Sequence, residues 1–253
     1  MPEVPTQTTQ TQSLESEPIE AWLLKKVFKI VSVTDANVTV IPRDSGARFE
    51  SLSSDHTALA TVDVDWFKPS YGFIIDAYDV GKILRGLPWS RLLVRISIRG
   101  RSLSVHSVDG SINATVDIIE KPESITDGVI EQYNGSAKAV LKVDALKLWS
   151  WFRPFSVVHE SRARFKVMYS GIILEANNEG ALLMLDAKLI PEEYSADGIF
   201  EVSYRLDYAV SFLEEVKRNG TVTAIIAKDK PLLIESMMER GAKAYLVQAP
   251  MVE

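Results

Sequence analysis

The sequence predicts an α+β fold made of two similar domains, each a largely antiparallel β-sheet carrying two helices. Two observations carry that prediction. An aliphatic residue, an aspartate and then Ala or Tyr lead into an amphipathic run three times, at Ile75-Asp76-Ala77, Val143-Asp144-Ala145 and Leu206-Asp207-Tyr208. The aspartates stand 68 and 63 residues apart, as expected if one strand-then-helix unit is reused. Around these runs lie many short stretches of apolar/polar alternation, too many per helix for a regular βα alternation. A length of 253 residues accommodates two domains with real cores.

Residues 1–13, rich in Gln and Thr, read as a loose tail without the basic start and apolar core of a secretory signal. A degenerate fourth copy of the repeat is expected near residue 15, where Ser16-Glu17-Pro18 precedes an apolar run and Pro suits a first helical turn. Each aspartate of the repeat is expected to cap its helix, accepting hydrogen bonds from the orphan N–H groups of the first turn. Strands are expected at 38–41, 47–52, 59–64, 72–75, 92–98, 102–107 and 112–119. In the second half they fall at 137–143, 164–168, 171–177, 181–189, 198–205, 222–227, 231–236 and 242–248. The domains thus span 14–119 and 137–253. Between them, 120–136 carries Pro122, Gly128, Gly135 and small polar residues, the composition of a surface connector. Its apolar members Ile125, Val129 and Ile130 either pack on the sheet beneath or rim a groove.

At 100° per residue the first helix turns Leu23, Val27, Ile30 and Val31 inward and Trp22, Lys25, Lys26 and Lys29 outward. The second buries Val80, Ile83, Leu84 and Leu87 and presents Lys82 and Arg85. The third buries Ala145, Leu148, Trp149 and Phe152 and presents Lys147, Ser150 and Arg153, with Pro154 expected to end or kink it. The fourth buries Leu206, Ala209, Val210, Leu213 and Val216 but presents Asp207, Ser211, Glu214, Glu215 and Arg218. Three polar faces of four are basic in a chain of net charge −6. Solvation alone explains such faces; if all the helices share one side of a continuous sheet, they instead merge into a positive surface suited to phosphates.

Composition narrows the chemistry. The absence of cysteine excludes disulfides and thiolate metal sites and fits an intracellular chain, and no apolar run approaches a membrane span. Neither a G-x-x-x-x-G-K-[ST] loop, a G-x-G-x-x-G turn nor a G-x-S-x-G elbow occurs, and His56, His106 and His159 lie in no zinc pattern. Asp55, His56, Asp63 and Asp65 are the one set that would suit a metal-dependent hydrolase, although Asp63 and Asp65 alternate with Val62, Val64 and Trp66 as on the solvated face of a strand. No enzyme and no cofactor is expected.

Several segments resemble the proliferating cell nuclear antigen (PCNA) family, the archaeal and eukaryotic DNA sliding clamps. They are Leu23-Leu24-Lys25-Lys26-Val27, Gly46 and Ser51-Leu52-Ser53-Ser54-Asp55-His56-Thr57-Ala58-Leu59, Lys82-Ile83-Leu84-Arg85, Pro231-Leu232-Leu233-Ile234-Glu235, and the tail from Tyr245 to Glu253. Order, spacing and length match over 14–253; the tail has one extra residue between Tyr245 and Ala249-Pro250. The resemblance implies a clamp fold assembled into a six-domain ring of three subunits around duplex DNA. Such a ring tethers DNA polymerase and other replication and repair enzymes as a processivity factor and is placed by a clamp loader.

By resemblance, Lys25, Lys26, Lys82, Arg85 and Arg153 face DNA, with Lys29 and Lys147 beside them on the same helix faces. On the fourth helix Glu214 replaces an expected cation, and Lys217 and Arg218 compensate. Clients carrying a short PCNA-interacting motif would dock at Leu52, His56, Ile125, Val129, Pro231, Ala249 and Pro250. Subunits would join along strands 111–118 and 180–187, through Ile112, Ala114, Val116, Ile118, Leu182 and Met184, as a homo- or heterotrimer with paralogous chains. The apolar run Ala181-Leu182-Leu183-Met184-Leu185 suits a covered edge better than a solvated one. A specialised checkpoint-type clamp is the alternative within this fold. The implied location is intracellular, cytoplasmic in the favoured archaeal setting and nuclear in a eukaryote.

Overall fold

The computed structural model describes residues 14–86, 92–120, 137–157, 163–177 and 184–251. The first half contains β1 (Leu14–Glu15), β2 (Ile19–Glu20), α1 (Ala21–Val31), β3 (Asn37–Arg43), β4 (Gly46–Leu52), β5 (Ala58–Val64), β6 (Phe73–Asp76), α2 (Ala77–Gly86), β7 (Leu93–Arg99), β8 (Ser102–Ser107), β9 (Asn113–Asp117) and β10 (Ile119–Glu120). The second contains β11 (Lys138–Asp144), α3 (Ala145–Val157), β12 (Ala163–Met168), β13 (Gly171–Asn177), β14 (Met184–Leu189), β15 (Glu193–Ala196), β16 (Phe200–Tyr204), α4 (Asp207–Val216), β17 (Thr221–Ala227), β18 (Leu232–Met237) and β19 (Lys243–Gln248). No helix among the described residues is long and apolar enough to cross a membrane.

Every strand pair is antiparallel, and the repeat is visible in the sheet orders. The run β6-β3-β4-β5 in the first half is matched by β16-β12-β13-β14 in the second, and β2-β7-β8-β9 by β11-β17-β18-β19. One ten-stranded sheet spans both halves because β5 pairs with β19, from Asp63↔Lys243 to Ala58↔Gln248. The four described helices form one layer in the order α2-α1-α4-α3, with α1 on β4 and β5, α4 on β19 and α3 on β11. Phe28 and Phe152, at matching places in α1 and α3, each pin their helix to a sheet: Phe28 on Phe49 of β4 at 5.6 Å and Phe152 on Phe165 of β12 at 5.7 Å, both edge to face. Each such pair adds about 0.5–1.5 kcal/mol to the burial of its rings.

Local chemistry decides where each helix begins. Asp76 Oδ1 accepts the Tyr78 N–H at 2.7 Å, and Asp144 Oδ1 accepts the Lys147 N–H at 3.1 Å, so two aspartates cap as expected. Asp207 does not: Leu206 holds the cap position, and the Asp207 carboxylate accepts from Arg205 Nη2 at 2.7 Å. Nor does α1 start at Pro18. Ser16 is still tied to β7, exchanging backbone and side-chain bonds with Ile96, and the helix starts at Ala21. Pro154 neither ends α3, which runs on to Val157, nor prevents burial of Phe155. Trp149, Ile83 and Val210 are half-buried rather than core, whereas Phe212 is fully buried; Leu87 lies outside the described residues. Glu120, assigned to the connector, belongs to β10. Gly46 follows the β3–β4 turn because nothing larger fits: a Cβ there would stand 1.9 Å from the Val64 carbonyl oxygen.

Candidate functional site

The helix layer gathers most of the expected cations. A cavity of about 790 Å³ between α1 and α4 is lined by Lys25, Lys26, Lys29, Lys217 and Arg218, but also by Glu214, Glu215 and Glu239. Between α1 and α2 a groove of about 440 Å³ brings Lys25, Lys29 and Arg85 together, and between α3 and α4 another of about 410 Å³ holds Arg153 and Lys217. Lys82 stands beside Arg85 on α2, both over the Tyr78 ring, at 4.2 and 5.8 Å. Lys147 is turned aside, its ammonium donating to the Ile190 carbonyl at 2.9 Å.

Many of these charges already have partners. Lys26 donates to Asn219 Oδ1, Lys29 pairs with Glu215 at 3.5 Å and Lys217 pairs with Glu214. Lys82 bonds Asp79 at 2.8 Å, which raises its pKa. Desolvation lowers the pKa of Lys26, and it lowers that of Lys25 first, with Lys29 and Arg85 pushing in the same direction. Trp149, expected in the core, lies instead between Arg153 and Lys217, at 4.8 and 4.5 Å from its ring centroid. Such cation–π contacts hold long side chains in place at about 0.5–1 kcal/mol each.

The opposite face of the ten-stranded sheet carries an apolar row. Cross-strand pairing aligns Leu52, Leu59, Val247, Leu233 and Ile225 on five successive strands, with Ala227 and Tyr245 packed beside them. Burial pushes the Tyr245 hydroxyl up to about 12, with the nearby Glu235 and Asp63 carboxylates adding to it. Only Leu52 of this row was expected. The missed members sit in runs that are apolar at consecutive positions, Ala58-Leu59-Ala60, Leu232-Leu233-Ile234 and Leu246-Val247, the signature of strands covered on both faces.

Polar chemistry frames one end of the row. The Asp55 carboxylate accepts from the Ser53 and Thr57 hydroxyls at 2.6 and 2.8 Å, which lowers its pKa and closes a tight turn holding His56 at φ 57°. The Ala249 N–H bonds the Thr57 carbonyl at 2.7 Å and the Met251 N–H bonds that of Ser203 at 2.8 Å, so the tail lies against the His56 turn. Pro231 leads into β18 next to this tail, and the Tyr204 hydroxyl fixes the preceding turn by donating to the Lys230 carbonyl at 2.8 Å. Leu52, His56, Pro231, Ala249 and Pro250 therefore converge; Ile125 and Val129 lie outside the described residues.

The acidic set expected of a hydrolase does not assemble. Asp63 is held by Arg48 through two bonds of 2.6 and 2.8 Å, Asp55 is spent on its own turn, and no group of three metal-ligating side chains occurs among the described residues. Strands β9 and β14 each end a sheet, with one edge unpaired among the described residues. Val116 and Ile118 point into their own core, with Ile112 and Ala114 half-buried, so the β9 edge offers backbone groups. Leu182 lies outside the described residues, and Met184 opens β14.

No protein-family model and no curated protein matches the chain. Solved structures do. A PCNA2–PCNA3 complex from Sulfolobus tokodaii matches with a TM-score of 0.75 at 15% identity, over 96% of this chain and 100% of that one. A. fulgidus PCNA, bound to the C-terminal region of FEN-1, matches with 0.76 at 16% identity over 95% and 99%. PCNA from Entamoeba histolytica matches with 0.76 at 14% identity over 95% and 98%. The chain therefore has the PCNA-type clamp fold over nearly its whole length.

Proposed function

We propose that this chain is a subunit of a DNA sliding clamp, a three-subunit ring that encloses duplex DNA and tethers a polymerase and other DNA enzymes to it. One observation carries the reading: the edge pairing that closes a ring is already made once within the chain. β5 joins β19 across the two halves, and the strands equivalent to them, β14 and β9, each end a sheet with one edge unpaired among the described residues. Pairing β14 of one subunit with β9 of the next repeats that seam between chains, satisfies both edges and closes the ring after three copies.

The helix layer then lines the hole and the apolar row faces outward. Clients with a short aliphatic and aromatic motif fit the row framed by Leu52, the His56 turn, Pro231 and the Ala249-Pro250 tail. The clamp domains are 14–119 and 137–253. The copies are identical chains or paralogues; a mixed ring accounts for the acidic α4. Opening and placing such a ring requires a clamp loader, and the role places the protein where DNA is, in the cytoplasm of an archaeon or the nucleus of a eukaryote. Enclosure makes weak, sequence-independent phosphate contacts sufficient, because dissociation then requires an opening of the ring.

Loading onto nicked circular DNA, with loader and any paralogues, followed by cutting the circle tests this. The protein should be retained on the circle and lost within seconds of linearisation. Equal retention on linear DNA with open ends would refute enclosure.

A further inference from the structure

The groove between α1 and α2 has a floor unlike the rest of the helix layer. Phe28, Ala77 and Leu84, all buried, form an apolar base, and Tyr78, 60% exposed, forms one wall. Gly81, in the interior of α2, also lines the groove. Glycine is among the poorest residues for a helix interior, and it is usually kept there for a positive φ or a close approach. Gly81 has neither: its φ is ordinary, and a Cβ added to it would meet nothing within 4 Å. The lack of a side chain at 81 leaves the groove open.

The rim is built for an anion. Lys25 and Lys29 from α1 and Arg85 from α2 converge on the groove, and mutual repulsion adds to the desolvation that disfavours the Lys25 ammonium. An anion placed among them relieves that repulsion. Three cations beside an apolar floor and an exposed aromatic ring match a nucleotide, whose phosphate is charged and whose base is flat and apolar on its faces. A volume of about 440 Å³ lies within the roughly 300–1,000 Å³ of small-ligand sites. A phosphate contact alone would need the cations but not the floor.

We propose that this groove takes one unstacked nucleotide of a DNA strand, its base over Gly81 against Tyr78 and its phosphate among Lys25, Lys29 and Arg85. The inference rests on the reading that the helix layer faces DNA. It gives the wall a preference for frayed or single-stranded segments that a purely electrostatic surface lacks.

Fluorescence anisotropy at low salt, on the full chain, tests it with three probes of equal length: oligothymidylate, an abasic strand of the same charge, and a duplex. The unmodified chain should bind oligothymidylate about tenfold more tightly than the abasic strand. Gly81→Leu, which fills the groove without removing charge, and Tyr78→Ala should each erase that preference while changing duplex affinity less than twofold. Gly81→Leu should also raise the thermal midpoint, since it adds a good helix former in open space. No preference for bases in the unmodified chain, or a Gly81→Leu loss as large on duplex as on oligothymidylate, would overturn the slot, and so would a lowered midpoint. Short linear probes need no closed ring, so failure here is distinguishable from failure of enclosure on circular DNA.

Discussion

The two helix pairs occupy equivalent places in one repeated fold, yet they treat charge in opposite ways. Around α1 and α2, Lys25, Lys29 and Arg85 crowd one groove, and the outward face of α1 carries Lys25, Lys26 and Lys29. Around α3 and α4, Arg153 and Lys217 are held on either side of Trp149, Lys217 is also tied to Glu214, and Glu215 reaches across to Lys29. The backbone repeat is thus set by the buried residues: Phe28 and Phe152 hold matching places in α1 and α3, and each meets a buried phenylalanine of a sheet. The exposed residues cost the fold little and are where the halves diverge.

If the first pair supplies most of the attraction for DNA, removing its cations should have the largest effect. Lys25→Ala, Lys29→Ala and Arg85→Ala together should lower duplex affinity by about 10–100-fold near physiological salt and flatten the salt dependence by up to about 0.9 for each phosphate no longer neutralised. The matching triple at Arg153, Lys217 and Arg218 should cost less than about fivefold, because Lys217 is already neutralised by Glu214. Salt titrations of both variants on one duplex decide this, and equal losses would end the distinction between the halves.

A smaller effect in the opposite direction should follow from Glu214→Gln. That change releases Lys217 without adding charge of its own, and should raise duplex affinity about three- to tenfold with a salt slope steeper by about one phosphate. An unchanged slope would mean that Lys217 stays bound to Trp149 and never reaches a phosphate.

How much of this could be read from the chain depended on how local the cause was. The caps at Asp76 and Asp144 involve neighbours two or three residues away and were legible; Asp207 failed because Arg205, also local, competes for its carboxylate. The basic faces and the acidic α4 follow from helical spacing alone and were legible too. Trp149 was not, because its place is set by Lys217 just past the end of α4, whereas α3 fills its own core face with Leu148, Phe152 and Phe155. The apolar row was hidden for a similar reason: Leu59 meets Val247 only once β5 and β19 have joined the halves.

Trp149 offers the finest test of the comparison. Its half-buried ring contacts two cations, each interaction being worth about 0.5–1 kcal/mol, so Trp149→Leu should cost about 1–2 kcal/mol in chemical denaturation. Part of that loss is simple packing, and a double-mutant cycle separates the two. In a background carrying Arg153→Ala and Lys217→Met, the same change should cost about 1 kcal/mol less, the difference being the cation–π coupling. The corresponding cycle on the other pair, Tyr78→Leu with Lys82→Met and Arg85→Ala, should show coupling of similar size, since that ring also carries two cations. Coupling around Trp149 but none around Tyr78 would mean that only the second half fixes its cations on an aromatic ring. No coupling in either would mean that the cations merely rest near the rings, and that ion pairs such as Lys217–Glu214 alone set the charge that each half presents.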